Sequence, residues 1–190
     1  MRLGIPGISL PRAAALLLTL AAAAAQSDAT ADQPETPADQ PIVRAVLQPA
    51  GQRKPAPEFA LKDSSGKTVR LKKYRGKVIL LDFWATWCHG CKEEIPWFSE
   101  FERKYGTKGL TVVGVSLDEE GWKVVKPFLE TTKVPYRMLL GDDATAKRYG
   151  IENMPDAYLI DRKGRVAATY VGLVDKDDVE TNIRTMLSGH

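Results

Sequence analysis

A chain of 190 residues is long enough for one domain with a tail, and 44% hydrophobic content lets it bury a core without disulfide staples. Its formal charge of +3 comes from interspersed basic and acidic residues, with no concentrated basic patch, which argues against nucleic acid as a partner. Two cysteines exclude a framework of structural disulfides.

Arg2 and Arg12 precede an apolar stretch over Ala13–Ala25, and Ala23-Ala24-Ala25 offers an A-x-A cleavage site. The stretch is shorter than the roughly 20 apolar residues of a spanning helix. Residues 1–25 therefore read as a cleaved secretory signal, leaving no membrane span; an uncleaved N-terminal anchor is the alternative. Residues 26–54 are rich in Ala, Asp, Gln and Pro and poor in aromatics, and read as a flexible linker, because such a composition buries too little apolar surface to offset its ordering entropy. Residues 55–190 form the folded domain.

Within that domain, Thr68–Leu71 reads as a short edge strand. Lys77–Trp84 (KVILLDFW) is a near-continuous apolar run, the pattern of a strand buried on both faces. Lys92–Tyr105 has helical spacing through Trp97, Phe101 and Tyr105, with Pro96 near its start. Leu110–Leu117 (LTVVGVSL) predicts a second buried strand. Glu120–Thr132 predicts a helix with Trp122, Val125 and Leu129 on one face. A strand at Tyr136–Leu140 and a helix at Ala144–Tyr149 follow. Strands at Ala157–Asp161 and Arg165–Tyr170 flank a turn at Asp161–Gly164, and a helix at Asp175–Leu187 ends the chain, with Asp177 and Asp178 favouring its start. Alternating strands and helices closed by a hairpin and helix imply an α/β fold, a central mixed sheet flanked by helices on both faces.

Cys88-His89-Gly90-Cys91 lies between the KVILLDFW strand and a helix. A helix N-terminus carries unpaired N–H groups and partial positive charge, which favour thiolate over thiol. Cys88, nearer that end, is the expected nucleophile; Cys91, about one turn further in, resolves the mixed disulfide. Other uses of such a pair fit less well. A staple across two intervening residues closes too small a loop to constrain the unfolded chain. A structural zinc site needs four ligands, and the only histidines are His89 and His190. Covalent haem needs a histidine after the second cysteine, where this chain has Lys92. Asp82, inside the apolar strand, is expected to be buried with a raised pKa, the alternative being that it turns to solvent.

The run Trp84-Ala85-Thr86-Trp87-Cys88-His89-Gly90-Cys91-Lys92-Glu93-Glu94-Ile95-Pro96 resembles the active site of the thioredoxin superfamily, specifically its exported TlpA/ResA-like thiol–disulfide oxidoreductases. Pro57-Glu58-Phe59-Ala60-Leu61 at the domain start, an extra helical segment around Glu120–Thr132, and Asn153-Met154-Pro155 before a strand extend the similarity over Pro55–Leu187. The resemblance implies a thioredoxin-like fold with an inserted helical segment and a redox-active Cys88–Cys91 disulfide. It implies that Pro155 is a cis-proline beside the cysteines, presenting the Met154 backbone to a substrate strand. It also implies that Asp82 is the buried acid that moves the Cys91 proton.

Trp87, His89 and Gly90 are assigned with Met154 to the substrate-facing surface, and Trp84 to the core. Four departures from the family pattern stand out. Gly90 occupies the usual proline position before the second cysteine, His89 the position where glycine or glutamate is often found, Gly114 the position of the lysine that partners the buried acid, and Asp156 the usual Thr or Ser after the cis-proline. No cofactor or metal is expected. The expected partners are protein thiols and disulfides and a membrane thiol electron donor; the expected compartment is a bacterial periplasm. The direction implied is reductive, as in cytochrome c maturation. An oxidase or isomerase is the alternative, favoured by a His89 imidazolium near the thiolate. A peroxiredoxin-type peroxidase and a copper-carrying chaperone are weaker alternatives.

Overall fold

Val78–Trp84 offers apolar side chains to both sides of its backbone, so it is stable only between two other strands and beneath two layers. The computed structural model, which describes Met1 and residues 41–189, places it there as β3. The remaining strands are β1 (Ala60–Asp63), β2 (Thr68–Arg70), β4 (Leu110–Ser116), β5 (Arg137–Leu140), β6 (Asp156–Ile160) and β7 (Val166–Val171). They form a sheet in the order β2-β1-β5-β4-β3-β6-β7. β3 runs parallel to β4 in the register Asp82↔Gly114 and antiparallel to β6 in the register Phe83↔Asp156. At the β6–β7 turn Gly164 takes φ 74°, a left-handed conformation open to glycine, and its N–H donates to Asp161 O.

The helices are α1 (His89–Tyr105), α2 (Trp122–Thr132), α3 (Asp143–Tyr149) and α4 (Lys176–Ser188). Alternation along β3 divides the core. Val78, Leu80 and Trp84 join Phe98 and Phe101 of α1, Val125 of α2 and Ile183 of α4. Ile79, Leu81 and Phe83 join Tyr149 of α3 with Phe59, Leu61 and Tyr74. Each fully buried large apolar side chain contributes roughly 1.5–3 kcal/mol, so these two layers carry most of the fold's stability. The mixed α/β architecture with helices on both faces agrees with the sequence expectation.

Three expectations need correction. α1 begins at His89, one turn before the expected Lys92, because Cys88 caps it. Its buried stripe follows Cys91, Ile95, Phe98 and Phe101, and Trp97 lies half-buried at its side. Ala60–Asp63, read only as the domain start, is strand β1, paired with β2 and β5.

The third correction concerns the linker. Residues 41–54 do not behave as a free linker: they are bonded along the β7 side of the domain. Val43 N–H donates to Leu173 O, Gln48 N–H to Ala167 O, and Val166 N–H to Lys54 O. Val43, Ala45 and Leu47 alternate inward and pack against the core. Average composition over the whole segment hid this short period-two pattern. Residues 26–40, and the proposed signal apart from Met1, lie outside the described residues. No described helix is long and apolar enough to cross a membrane.

Gly114 admits close packing at the middle of β4. A Cβ there would collide with Met138 Sδ and sit 3.1 Å from Trp84 Nε1. Gly114→Ala is expected to cost about 1–3 kcal/mol as overpacking, seen as a lower urea midpoint at unchanged slope.

Candidate active site

The end of β3 and the start of α1 bring the cysteines together. Cys88 is the N-cap of α1: its Sγ accepts from Cys91 N–H at 3.2 Å. The two residues are joined by a disulfide with Cα atoms 5.4 Å apart. Both are buried, while Trp87 immediately before them is 66% exposed. The helix N-terminus therefore points at Cys88, the position where a thiolate is favoured.

The loop leading to Cys88 is fixed by a residue that sequence reasoning missed. Buried Asp118, just after β4, accepts from Thr86 N–H at 3.0 and 3.1 Å, from Thr86 Oγ at 2.5 Å and from Ser116 Oγ at 2.8 Å. No sequence pattern links positions 32 apart; only the parallel β3–β4 pairing brings them together.

Asp82 points from β3 to the α1 side, the face of Leu80 and Trp84. It is buried, and neither carboxylate oxygen has a hydrogen-bond partner among the described residues. Burial pushes its pKa up to about 8. Opposite it, at Gly114, no cation is present; Met138 and Trp84 fill that space.

Glu94 is a second buried acid, not singled out from the sequence. It lies three residues past Cys91, on the buried stripe of α1, and is fully buried. That spacing was the available signal: an acid one turn beyond the cysteine, within the apolar stripe. Its Oε1 accepts from Val174 N–H at 2.8 Å and its Oε2 has no partner. Burial raises its pKa well above the usual range; the charges of Asp82 and Asp156 add to this, and the Val174 N–H opposes it. Asp156 is buried with Oδ1 unpartnered, and burial raises its pKa to about 6. The buried Tyr136 hydroxyl, also unpartnered, is pushed up by burial and by the charges of Asp82 and Glu94. Unpaired buried polar groups are costly, and a cluster of them beside a reactive pair marks a functional site.

The Met154–Pro155 bond is cis. Pro155 directly precedes β6, whose first residue pairs with Phe83 near the end of β3; Pro155 O accepts from Gly172 N–H at 2.8 Å. Met154 packs against the core cluster that holds both cysteines. Gly90 is buried in the first turn of α1. His89 is exposed, and its Nε2 lies 3.4 Å from Glu93 Oε1. The imidazole is thus turned along the helix surface to a carboxylate.

Asp82 couples the site to stability. Its native pKa of about 8 exceeds the ordinary 3.8, so between these values the native state binds more protons than the unfolded chain. Stability conferred by the protonated acid is full at low pH and is lost as pH rises through the native pKa. Asp82→Asn removes the titration. The variant is expected to gain on the parent by at least about 1 kcal/mol between about pH 5 and about pH 8, measured by urea unfolding of the disulfide forms.

Comparison with known proteins agrees with this geometry. The AhpC/TSA family matches residues 53–169. The thiol-disulfide oxidoreductase ResA of Geobacillus thermodenitrificans is 32% identical over 132 residues, spanning 69% of this chain and 75% of the relative. The thioredoxin-like protein YneN of Bacillus subtilis is 33% identical over 130 residues, spanning 67% of this chain and 76% of the relative. A Chlorobium tepidum protein, described with its crystal structure as a thiol:disulfide interchange protein DsbE, superposes with a TM-score of 0.68 at 36% identity, over 71% of this chain and 96% of that one. With a dithiol pair in disulfide contact at a helix N-terminus and this breadth of similarity, the chain belongs to the AhpC/TSA family and, within it, to the thioredoxin-like thiol–disulfide oxidoreductases.

Proposed function

We propose that the protein is a reductase of protein disulfides in an exported, oxidising compartment. The observation that carries this reading is the placement of the Cys88–Cys91 pair at the α1 N-terminus with two buried acids behind it, Asp82 without a hydrogen bond and Glu94 held only by the Val174 N–H. In the reduced enzyme the Cys88 thiolate attacks a substrate disulfide. A mixed disulfide forms, and the first substrate sulfur leaves as a thiolate and takes a proton from solvent. The ionised form of Asp82, a minority at neutral pH that grows as pH rises towards its pKa, accepts the Cys91 proton. A pKa of about 8 places that acid close to the ordinary thiol value of about 8.5, so the transfer is nearly level in energy. Cys91 thiolate then attacks Cys88 Sγ, expelling the second substrate thiolate and closing the Cys88–Cys91 disulfide. The substrate gains two electrons and the enzyme loses two.

Two features favour the reductive direction. Strong oxidants stabilise their thiolate. Here the helix N-terminus does so, but any ionisation of Glu94 or Asp82 adds negative charge that opposes the thiolate, and His89 is directed to Glu93. Trp87, His89 and Met154 would line the approach of an extended substrate, pairing with the backbone beside cis-Pro155. Electrons would come from a membrane thiol donor, because the compartment itself keeps thiols oxidised. A periplasmic setting and service to cytochrome c maturation or related thiol repair follow from the resemblance of the active-site run.

Tryptophan fluorescence in graded thiol–disulfide buffers tests the direction. A potential near about −270 mV is expected; a value near about −120 mV would reverse the direction to oxidation. Stopped-flow reduction of a disulfide substrate tests the roles. Asp82→Asn is expected to leave the first attack unchanged and to slow release of the second thiol at least about tenfold, and Cys91→Ser to accumulate the mixed disulfide. Equal rates of release in parent and Asp82→Asn would remove Asp82 from the mechanism.

A further inference from the structure

Glu94 is gripped from one side only, by the Val174 N–H. That N–H belongs to the peptide unit joining Leu173 to Val174. The carbonyl of the same unit, Leu173 O, accepts from Val43 N–H at 2.7 Å. One planar peptide group thus stands between the N-terminal segment and the buried acid, bonded at both ends. The next unit is held as well, since Asp175 N–H donates to Val43 O at 2.8 Å. Val43 is itself seated by its neighbours. Ala45 N–H donates to Asp178 Oδ2 at 3.1 Å, and Asn182 Nδ2 donates to Ala45 O at 2.8 Å.

We infer that Val43 is a positioning residue for Glu94, acting through the Leu173–Val174 peptide, so that docking of residues 41–47 sets the acidity of the carboxyl behind the redox pair. The consequence for turnover rests on the dithiol reading above; the linkage itself does not. Two effects act together. A donor on the carbonyl polarises the peptide and strengthens its N–H, by on the order of 10–30% for such chains. The same bond fixes the peptide plane, and an N–H turned far off line donates poorly. The Val174 N–H favours ionised Glu94. Burial and the charges of Asp82 on β3, Asp156 on β6 and Glu93 on its own helix oppose ionisation. The Tyr136 hydroxyl, ahead of β5, feels the Glu94 charge but makes no bond to it. Loosening the Val43 bond therefore lets Glu94 keep its proton to higher pH.

In the full chain, Val43→Pro removes the donor and keeps the carbonyl. Glu94 is followed by the carboxyl carbon-13 resonance that disappears in Glu94→Gln. The Val43→Pro midpoint is expected to rise by about half a pH unit or more, with the pH profile of disulfide exchange moving in the same direction. Val46→Ser, at a 91% exposed site in the same segment, is expected to keep the parent midpoint. In a Glu94→Gln background, Val43→Pro should leave the exchange profile where Glu94→Gln puts it. A folded Val43→Pro protein with the parent midpoint overturns the inference, as does an equal profile shift with and without Glu94. Should Val43→Pro not fold, Asp178→Ala, which frees Ala45 N–H, is titrated with the same two outcomes. If the parent exchanges no disulfides, the carbon-13 titration still decides the linkage, and only the functional reading fails.

Discussion

Desolvation of β3 on both faces is the constraint on which this protein depends. The strand must be dry to hold the centre of the sheet, and it carries Asp82 into that dry region with no hydrogen-bond partner among the described residues. An isolated buried carboxylate is far too costly to leave ionised, so the group holds a proton through neutral pH. The feature that makes the core uniform also makes an acid available on the face of the sheet that the thiol-bearing helix covers. A sheet with one wet face would have left Asp82 an ordinary surface carboxylate.

The chemistry rests on two opposed electrostatic effects at α1. The helix N-terminus favours negative charge on Cys88. The acids behind it, Asp82 on the strand and Glu94 on the helix, hold their own protons, and either one once ionised opposes the thiolate. Balance between them sets both the potential of the pair and the ease with which Cys91 gives up its proton. Asp118 serves this balance at a distance, by fixing the Thr86 peptide and so the entry of the chain into Cys88.

The N-terminal segment belongs to the same economy of protons. Its backbone bonds to the loop between β7 and α4 place one peptide between Val43 and Glu94. A stretch that looks like spacer by composition is thereby wired to the buried acid, which gives its docking a chemical consequence as well as a packing one.

Much of this was readable in the chain alone. The buried strand, most of the strands and helices and the reactive pair follow from local patterns: an apolar run, a 3.6-residue period, two cysteines at one helical turn; the family was legible in the resemblance of the Trp84–Pro96 run. Asp82 was readable too, because an acid between apolar neighbours on a buried strand has nowhere wet to point. Glu94 was within reach but was passed over: it stands three residues before Trp97 and seven before Phe101, on the same helical face, and the packed helix turns it inward with Cys91, Ile95 and Phe98. Asp118, the Val174 N–H and the docking of Val43 were decided only by the tertiary structure. Each is a contact between residues far apart in sequence, and local pattern sets which faces are buried but not which distant groups meet across them.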